Sequence, residues 1–244
     1  MTSFRKTALA GGILYLLTFL GSIPAAILVG PVLDNPNYIT SAGADQQVAF
    51  GLILELVNVI SCFGCAVALF SVVRREHEGL AIGYLATRMF EAATITIGIV
   101  SLLAVVSLRQ QGAAAGDAES LVPTGHALVA IRTAAMTIGP NMAAFNALML
   151  GTALYRARLV PRWIPALGIV GAPLLIAFVI GTILGVTGQG TLFQGIAVLP
   201  FFVWELVLGL WLTFKGFNES APIAVAERAR LTPAAALAGT AGAA

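Results

Sequence analysis

Glu55, Arg88, Glu91, Arg132 and Glu205 have the most chemistry to offer in this chain, and each lies inside an apolar run long enough to cross a bilayer. A charged side chain at the centre of a membrane helix costs about 2.5–3.5 kcal/mol on insertion scales. Five isolated ones would be hard to insert, so the residues are expected to share one polar core. Their neighbours fit that expectation. Arg88 and Glu91 are three apart and share a helix face, which Tyr84 extends by a turn. Asn58 and Cys62 fall on the face of Glu55, and Gln194 lies about three helical turns before Glu205. Asn141 and Asn146 follow Arg132 beyond a proline, and Tyr15, Thr18 and Ser22 form a stripe in the first run. The candidate site is therefore Glu55, Asn58, Arg88, Glu91, Arg132, Asn141, Asn146 and Glu205.

The core admits two kinds of chemistry. In one, the charges lock helix register, with Arg88–Glu91 as an intrahelical pair and Arg132 bridging Glu55 or Glu205. In the other they bind a proton, a cation or a polar ligand. Three carboxylates face two guanidiniums, which leaves one acid over. A desolvated carboxylate favours its neutral form, so one of Glu55, Glu91 and Glu205 either holds a proton or meets a cation. Glu205 is the expected one, because no base lies on its own helix.

The elements that must carry these residues follow from composition. The chain has 244 residues, 59% hydrophobic and 10% charged, where soluble domains carry about 25% charge. It cannot coat a soluble globule, so the fold class is an all-α membrane protein. Six spans are expected, at about 8–32, 48–73, 79–107, 123–155, 163–186 and 192–214. They form a six-transmembrane-helix bundle over residues 1–216. The first run is too long for a secretory signal and is expected to be retained. Residues 217–244, Ala-rich and without apolar periodicity, are expected to be a disordered cytoplasmic tail, and 110–120 a flexible loop.

Connections sort by charge. Arg5, Lys6, Arg74, Arg75, Arg156, Arg158, Arg162, Lys215, Arg228 and Arg230 fall on one side, and only Arg109 on the other. The positive-inside rule places both termini in the cytoplasm. Tyr155, Trp163 and Trp211 fall at the same inner boundary, where amphipathic rings prefer to sit. Spans 2, 3, 4 and 6 are expected to surround the polar core, with the uncharged span 5 outside it. Gly181-x-x-x-Gly185 in span 5 has the spacing of a close-packing motif, within the bundle or between two copies of the chain. Pro24, Pro140, Pro173 and Pro200 interrupt spans 1, 4, 5 and 6, and Gly139-Pro140-Asn141 is read as a kink.

Other chemistries find no support. Cys62-Phe63-Gly64-Cys65 lacks the βαβ context of a redox motif, so its thiols read as small hydrophobes. His77 and His126 cannot make a His-rich metal site, and no nucleophile elbow or phosphate loop is present. A net charge of +2 without a basic stripe argues against nucleic acid. No cofactor is implied, and the expected partners are the lipid bilayer and, through Gly181 and Gly185, a protein or a second copy of the chain.

Several stretches resemble bacterial membrane proteins of the domain-of-unknown-function family DUF4386. They are Arg5-Lys6-Thr7-Ala8, Gly30-Pro31-Val32-Leu33, Arg88-Met89-Phe90-Glu91-Ala92, and Leu159 through Gly168 with its Pro161-Arg162-Trp163-Ile164-Pro165 centre. Trp204-Glu205-Leu206 and Trp211 through Phe217 complete the set. The resemblance implies a multi-pass protein of the bacterial inner membrane and no particular activity. The function expected is that of a non-enzymatic membrane protein with a buried charged core. The alternative is a small proton- or cation-linked transporter using Glu205, Glu91 and Arg132, and a weaker one is a membrane-embedded enzyme acting on a lipid-like substrate.

Overall fold

A computed structural model describes residues 3–41, 43–226 and 229. The elements are α1 (Ser3–Leu28), α2 (Gly30–Leu33), α3 (Asp45–Val73), α4 (Glu78–Ala115), α5 (Val122–Ile138), α6 (Ala143–Ala157), α7 (Trp163–Ile183) and α8 (Leu192–Phe214). They make six helical units long and apolar enough to span a membrane, the fourth being α5 and α6 together. Large apolar side chains point outward on most of them, including Leu20, Ile27, Ile60, Val67, Val100, Ile183 and Leu199. Charged side chains lie in the middle. A soluble protein would invert this arrangement; lipid as solvent accounts for it. The chain is a multi-pass membrane protein.

Helix ends are set by short-range chemistry. His77 is extended and its Nδ1 accepts from Leu80 N–H, capping α4. Thr191 accepts from Gln194 N–H and caps α8. At the other end of α8 the last carbonyls need donors. The Arg5 guanidinium supplies them, at 2.9 Å to Leu212 O and 2.7 Å to Thr213 O. This ties the start of the chain to the last span.

The helices pack in a ring. α1 lies between α3 and α8, α3 packs on α4, α4 on α5 and α6, α6 on α7, and α7 on α8. The end bearing Arg74, Arg75, Arg156, Arg158, Arg162 and Lys215 is here termed the basic end. Its half of the bundle holds the larger core, built on Trp204, Leu150, Leu154, Ile164, Leu208 and Leu212. Gly168 makes room for Trp204: a Cβ there would fall 2.5 Å from the indole. In the opposite half a smaller core of Val29, Val48, Leu52, Leu102 and Val105 joins the α1–α2 junction to α3 and α4.

The fourth span departs from a simple kink. A 3-10 turn, Pro140–Met142, separates α5 from α6. Pro140 cannot donate. Asn141 Nδ2 reaches back 2.7 Å to Thr137 O and fills part of the gap. The break also redirects the chain. α6 packs against both α4 and α7, whereas α5 follows α4 and meets α7 only briefly.

Three expectations need correction. Gly185 lies beyond α7 with φ of 70°, and the carbonyl of Gly181 accepts from Val186 and Thr187. The pair therefore terminates a helix and does not form a small-residue stripe along one, because left-handed backbone is where glycine is favoured. Second, α4 continues to Ala115 and is capped by Gly116, so the expected loop at 110–120 is half helix. Third, the expected tail begins packed. Phe217, Ala221 and Ala224 are buried, Phe217 meets Phe4 edge to face, and Asn218 N–H donates to Leu159 O at 2.7 Å. Residues 227, 228 and 230–244 of that segment lie outside the described residues.

Candidate functional site

All five intramembrane charges are buried and all are paired. Arg132 on α5 grips Glu55 on α3 with both terminal nitrogens, at 2.7 Å from Nη1 to Oε2 and with Nη2 on Oε1. Such a two-point pair fixes direction as well as distance. Arg88 on α4 divides itself. Its Nη1 donates to Glu91 Oε2 at 3.1 Å, one turn along the same helix, and its Nη2 donates to Glu205 Oε1 on α8. The Tyr15 ring lies under the Arg88 guanidinium, 4.9 Å from centroid to Cζ. A cation over an aromatic face is favoured most where water is excluded.

The surplus acid thus has a location. Glu55 and Arg132 cancel, and Glu91 and Glu205 share one guanidinium. Glu205 is not without a base, as expected from its own helix; its base comes from α4. Glu91 Oε2 also accepts from Asn146 Nδ2 on α6 at 2.7 Å, and Asn146 Oδ1 accepts from Thr87 Oγ1. Arg88 Nη1 also lies 3.9 Å from Cys62 Sγ on α3, so five helices contribute to the trio of Arg88, Glu91 and Glu205: α1, α3, α4, α6 and α8. Thr87 was not singled out in the sequence, although its place one turn before Glu91 was the available signal. Asn58 and Asn141 do not bond to any of the five charges. Asn58 Oδ1 faces Cys62 Sγ at 3.8 Å, and Asn141 serves the helix break.

Below the trio, toward the basic end, polar contacts continue. Tyr15 and Tyr84 hydroxyls are 3.4 Å apart, and Cys65 Sγ is 3.3 Å from Tyr84 Oη. Both cysteines are buried and free.

Above the trio lies a cavity of about 620 Å³. Its floor is Glu55, Arg132, Asn58, Arg88, Glu91 and Glu205. Its walls are mostly apolar, with Phe19, Ile23, Met136, Val198 and Phe202. Its lining extends to Gln194 and to the exposed Gln189 in the α7–α8 connection. Beside the cavity α5 packs on α4 and meets α7 only briefly. Its size is that of a small-molecule pocket, about 300–1,000 Å³. Nε of Arg88 and of Arg132 are buried with no acceptor among the described residues.

Residues 10–216 match the family described as Domain of unknown function (DUF4386). The chain belongs to that family. The match covers all six spans apart from the first turns of α1, so the charged floor and the cavity lie within the DUF4386 domain. No curated protein and no solved structure matches the chain.

One position tests how tightly this DUF4386 site is built. Gly98 on α4 faces Arg132, and a Cβ there would fall 2.6 Å from Arg132 Nη1 and 2.6 Å from Met136 Cε. Gly98→Ala is expected to push Arg132 off Glu55 and to destabilise the protein by about 1–3 kcal/mol, as overpacking does. Thermal unfolding in detergent measures this. An unchanged melting temperature would mean that Arg132 yields freely and that the pair with Glu55 is not tightly held.

Proposed function

We propose that this protein is a small proton- or cation-linked carrier of the bacterial inner membrane, non-enzymatic, with both termini in the cytoplasm. The observation that carries the reading is the cavity that ends on two carboxylates sharing one guanidinium. A purely structural core needs no cavity, and a balanced core would have no charge left for a ligand. Here Glu91 and Glu205 carry one negative charge more than Arg88 neutralises. A proton or a cation completes that balance, and exchange between the two is the elementary step of a coupled carrier. Arg88 takes the part first expected of Arg132, because both terminal nitrogens of Arg132 are engaged by Glu55. The hydroxyls of Tyr15 and Tyr84 offer a polar route onward from the trio.

The test is flux. Protein in liposomes with entrapped pH dye is exposed to a pH gradient, with tetraphenylphosphonium or ethidium as cation probes. Cation addition is expected to drive proton movement. Glu205→Gln and Glu91→Gln, which keep shape and remove charge, are expected to lower it about tenfold or more while the protein stays folded. Wild-type flux from a folded Glu205→Gln protein would refute the role of the trio. Orientation has its own check: a reporter that fluoresces only in the cytoplasm should be bright when fused after Phe217 and dark when inserted at Gly116.

A further inference from the structure

A second concavity lies at the basic end, far from the charged floor. Its volume is about 500 Å³, and it is lined by the loop between α6 and α7 and by the end of α8. Three cations border it: Arg158, Arg162 and Lys215. All three are exposed, no carboxylate lines the pocket, and none of the three has an ion pair among the described residues. Nearby Arg156, by contrast, is paired with Glu76 at 3.3 Å.

The backbone of Arg158 adds an independent observation. Its φ is 54°, and it is the one described non-glycine residue in the left-handed region. The four other left-handed positions, at 116, 185, 190 and 216, are all glycine. Glycine would be the easier choice here too. The strained turn is held from outside: Asn218 N–H donates to Leu159 O at 2.7 Å, and Asn218 Nδ2 donates to Arg158 O at 3.3 Å. Arg162 is also positioned, with Cζ 5.0 Å from the Tyr155 ring. Arg158 is the left-handed cap that ends α6, and the turn it makes places its guanidinium at the pocket.

The surroundings identify the ligand class. Trp163 and Trp211 stand at the helix ends beside the pocket, where such rings meet headgroups. Exposed Trp163, Val170 and Leu174 run down one side of α7, and Phe214 at the end of α8 is exposed as well. A ligand with phosphate at the pocket and hydrocarbon along that stripe meets both surfaces. We propose that Arg158, Arg162 and Lys215 form a binding site for the phosphate headgroup of an acidic phospholipid. Guanidiniums suit this work because they hold phosphate with paired, charge-assisted hydrogen bonds.

The full chain in nanodiscs provides the test, in phosphatidylcholine alone or with added phosphatidylglycerol. Phosphatidylglycerol is expected to raise the melting temperature and to remain bound in native mass spectrometry. Arg158→Gly and Arg162→Ala are expected to weaken that binding about tenfold or more. Arg158→Gly should meanwhile unfold no earlier than wild type in phosphatidylcholine alone, because glycine suits the turn. Arg74→Ala, at the same end but outside the pocket, should change lipid binding by less than about twofold. An equal loss in Arg74→Ala would assign the effect to general surface potential and overturn the site. So would equal stabilisation by millimolar inorganic phosphate, or unchanged lipid binding in Arg158→Gly.

Discussion

Arg88→Ala is expected to lose about 3–5 kcal/mol of stability, the cost of breaking a buried pair by removing one partner. Arg88 is 1% exposed and serves two acids and an aromatic ring at once. Without it Glu91 and Glu205 face each other with no cation, and α4 loses its polar link to α8. The effect is attributable to charge only if removing the acids restores the fold. The triple change Arg88→Leu, Glu91→Gln, Glu205→Gln should recover most of the loss, since well-packed neutral residues often replace buried ion pairs at little or no cost. Thermal unfolding in detergent, followed by helical signal, compares the variants. A single mutant that melts with wild type would mean that the trio contributes nothing to the fold. A triple mutant no better than the single would trace the loss to packing around Tyr15.

The pair Glu55–Arg132 should behave differently. Either single change, Glu55→Ala or Arg132→Ala, is again expected to cost about 3–5 kcal/mol. The double change Glu55→Leu, Arg132→Met should be close to neutral in stability. A double-mutant cycle of Glu55→Ala, Arg132→Ala and the two combined isolates the pair's coupling. The carrier reading adds a second readout. Flux should survive the stable double mutant, because the surplus charge sits on the other cluster. Loss of flux in a well-folded Glu55→Leu, Arg132→Met protein would show that the two clusters work as one site.

Much of this was legible in the sequence because lipid imposes simple rules. Six apolar runs gave six spans, and charges that lipid would not tolerate alone had to meet. The i, i+3 spacing was enough for Arg88–Glu91. Choosing between Glu55 and Glu205 as the partner of Arg132 was not possible, since the choice depends on which helices are neighbours. Periodicity tells which way a side chain points on its own helix and nothing about the helix opposite. Gly181-x-x-x-Gly185 misled for a related reason: four-residue spacing is shared by a packing stripe and by a helix stop, and only the φ of Gly185 separates them. The cavity was hidden more deeply. Its lining is drawn from separate helices, α1, α3, α4, α5 and α8 among them, and a proline in a sequence announces a break without its direction. Asn218 against the turn at Arg158 was beyond reach because it joins segments 60 residues apart.

The division of charges also bears on how the protein is made. Helices are delivered to the membrane in chain order. α4 arrives with Arg88 and Glu91 already neutralising each other. Glu55 enters with the second span, and its partner arrives with the fourth. After five spans the chain has inserted two acids and two bases, and nothing is owed. The sixth span alone carries an unmatched charge, and it must enter beside helices that already offer Arg88. Assembly therefore closes on the same carboxylate, Glu205, that leaves the finished protein with a charge to share.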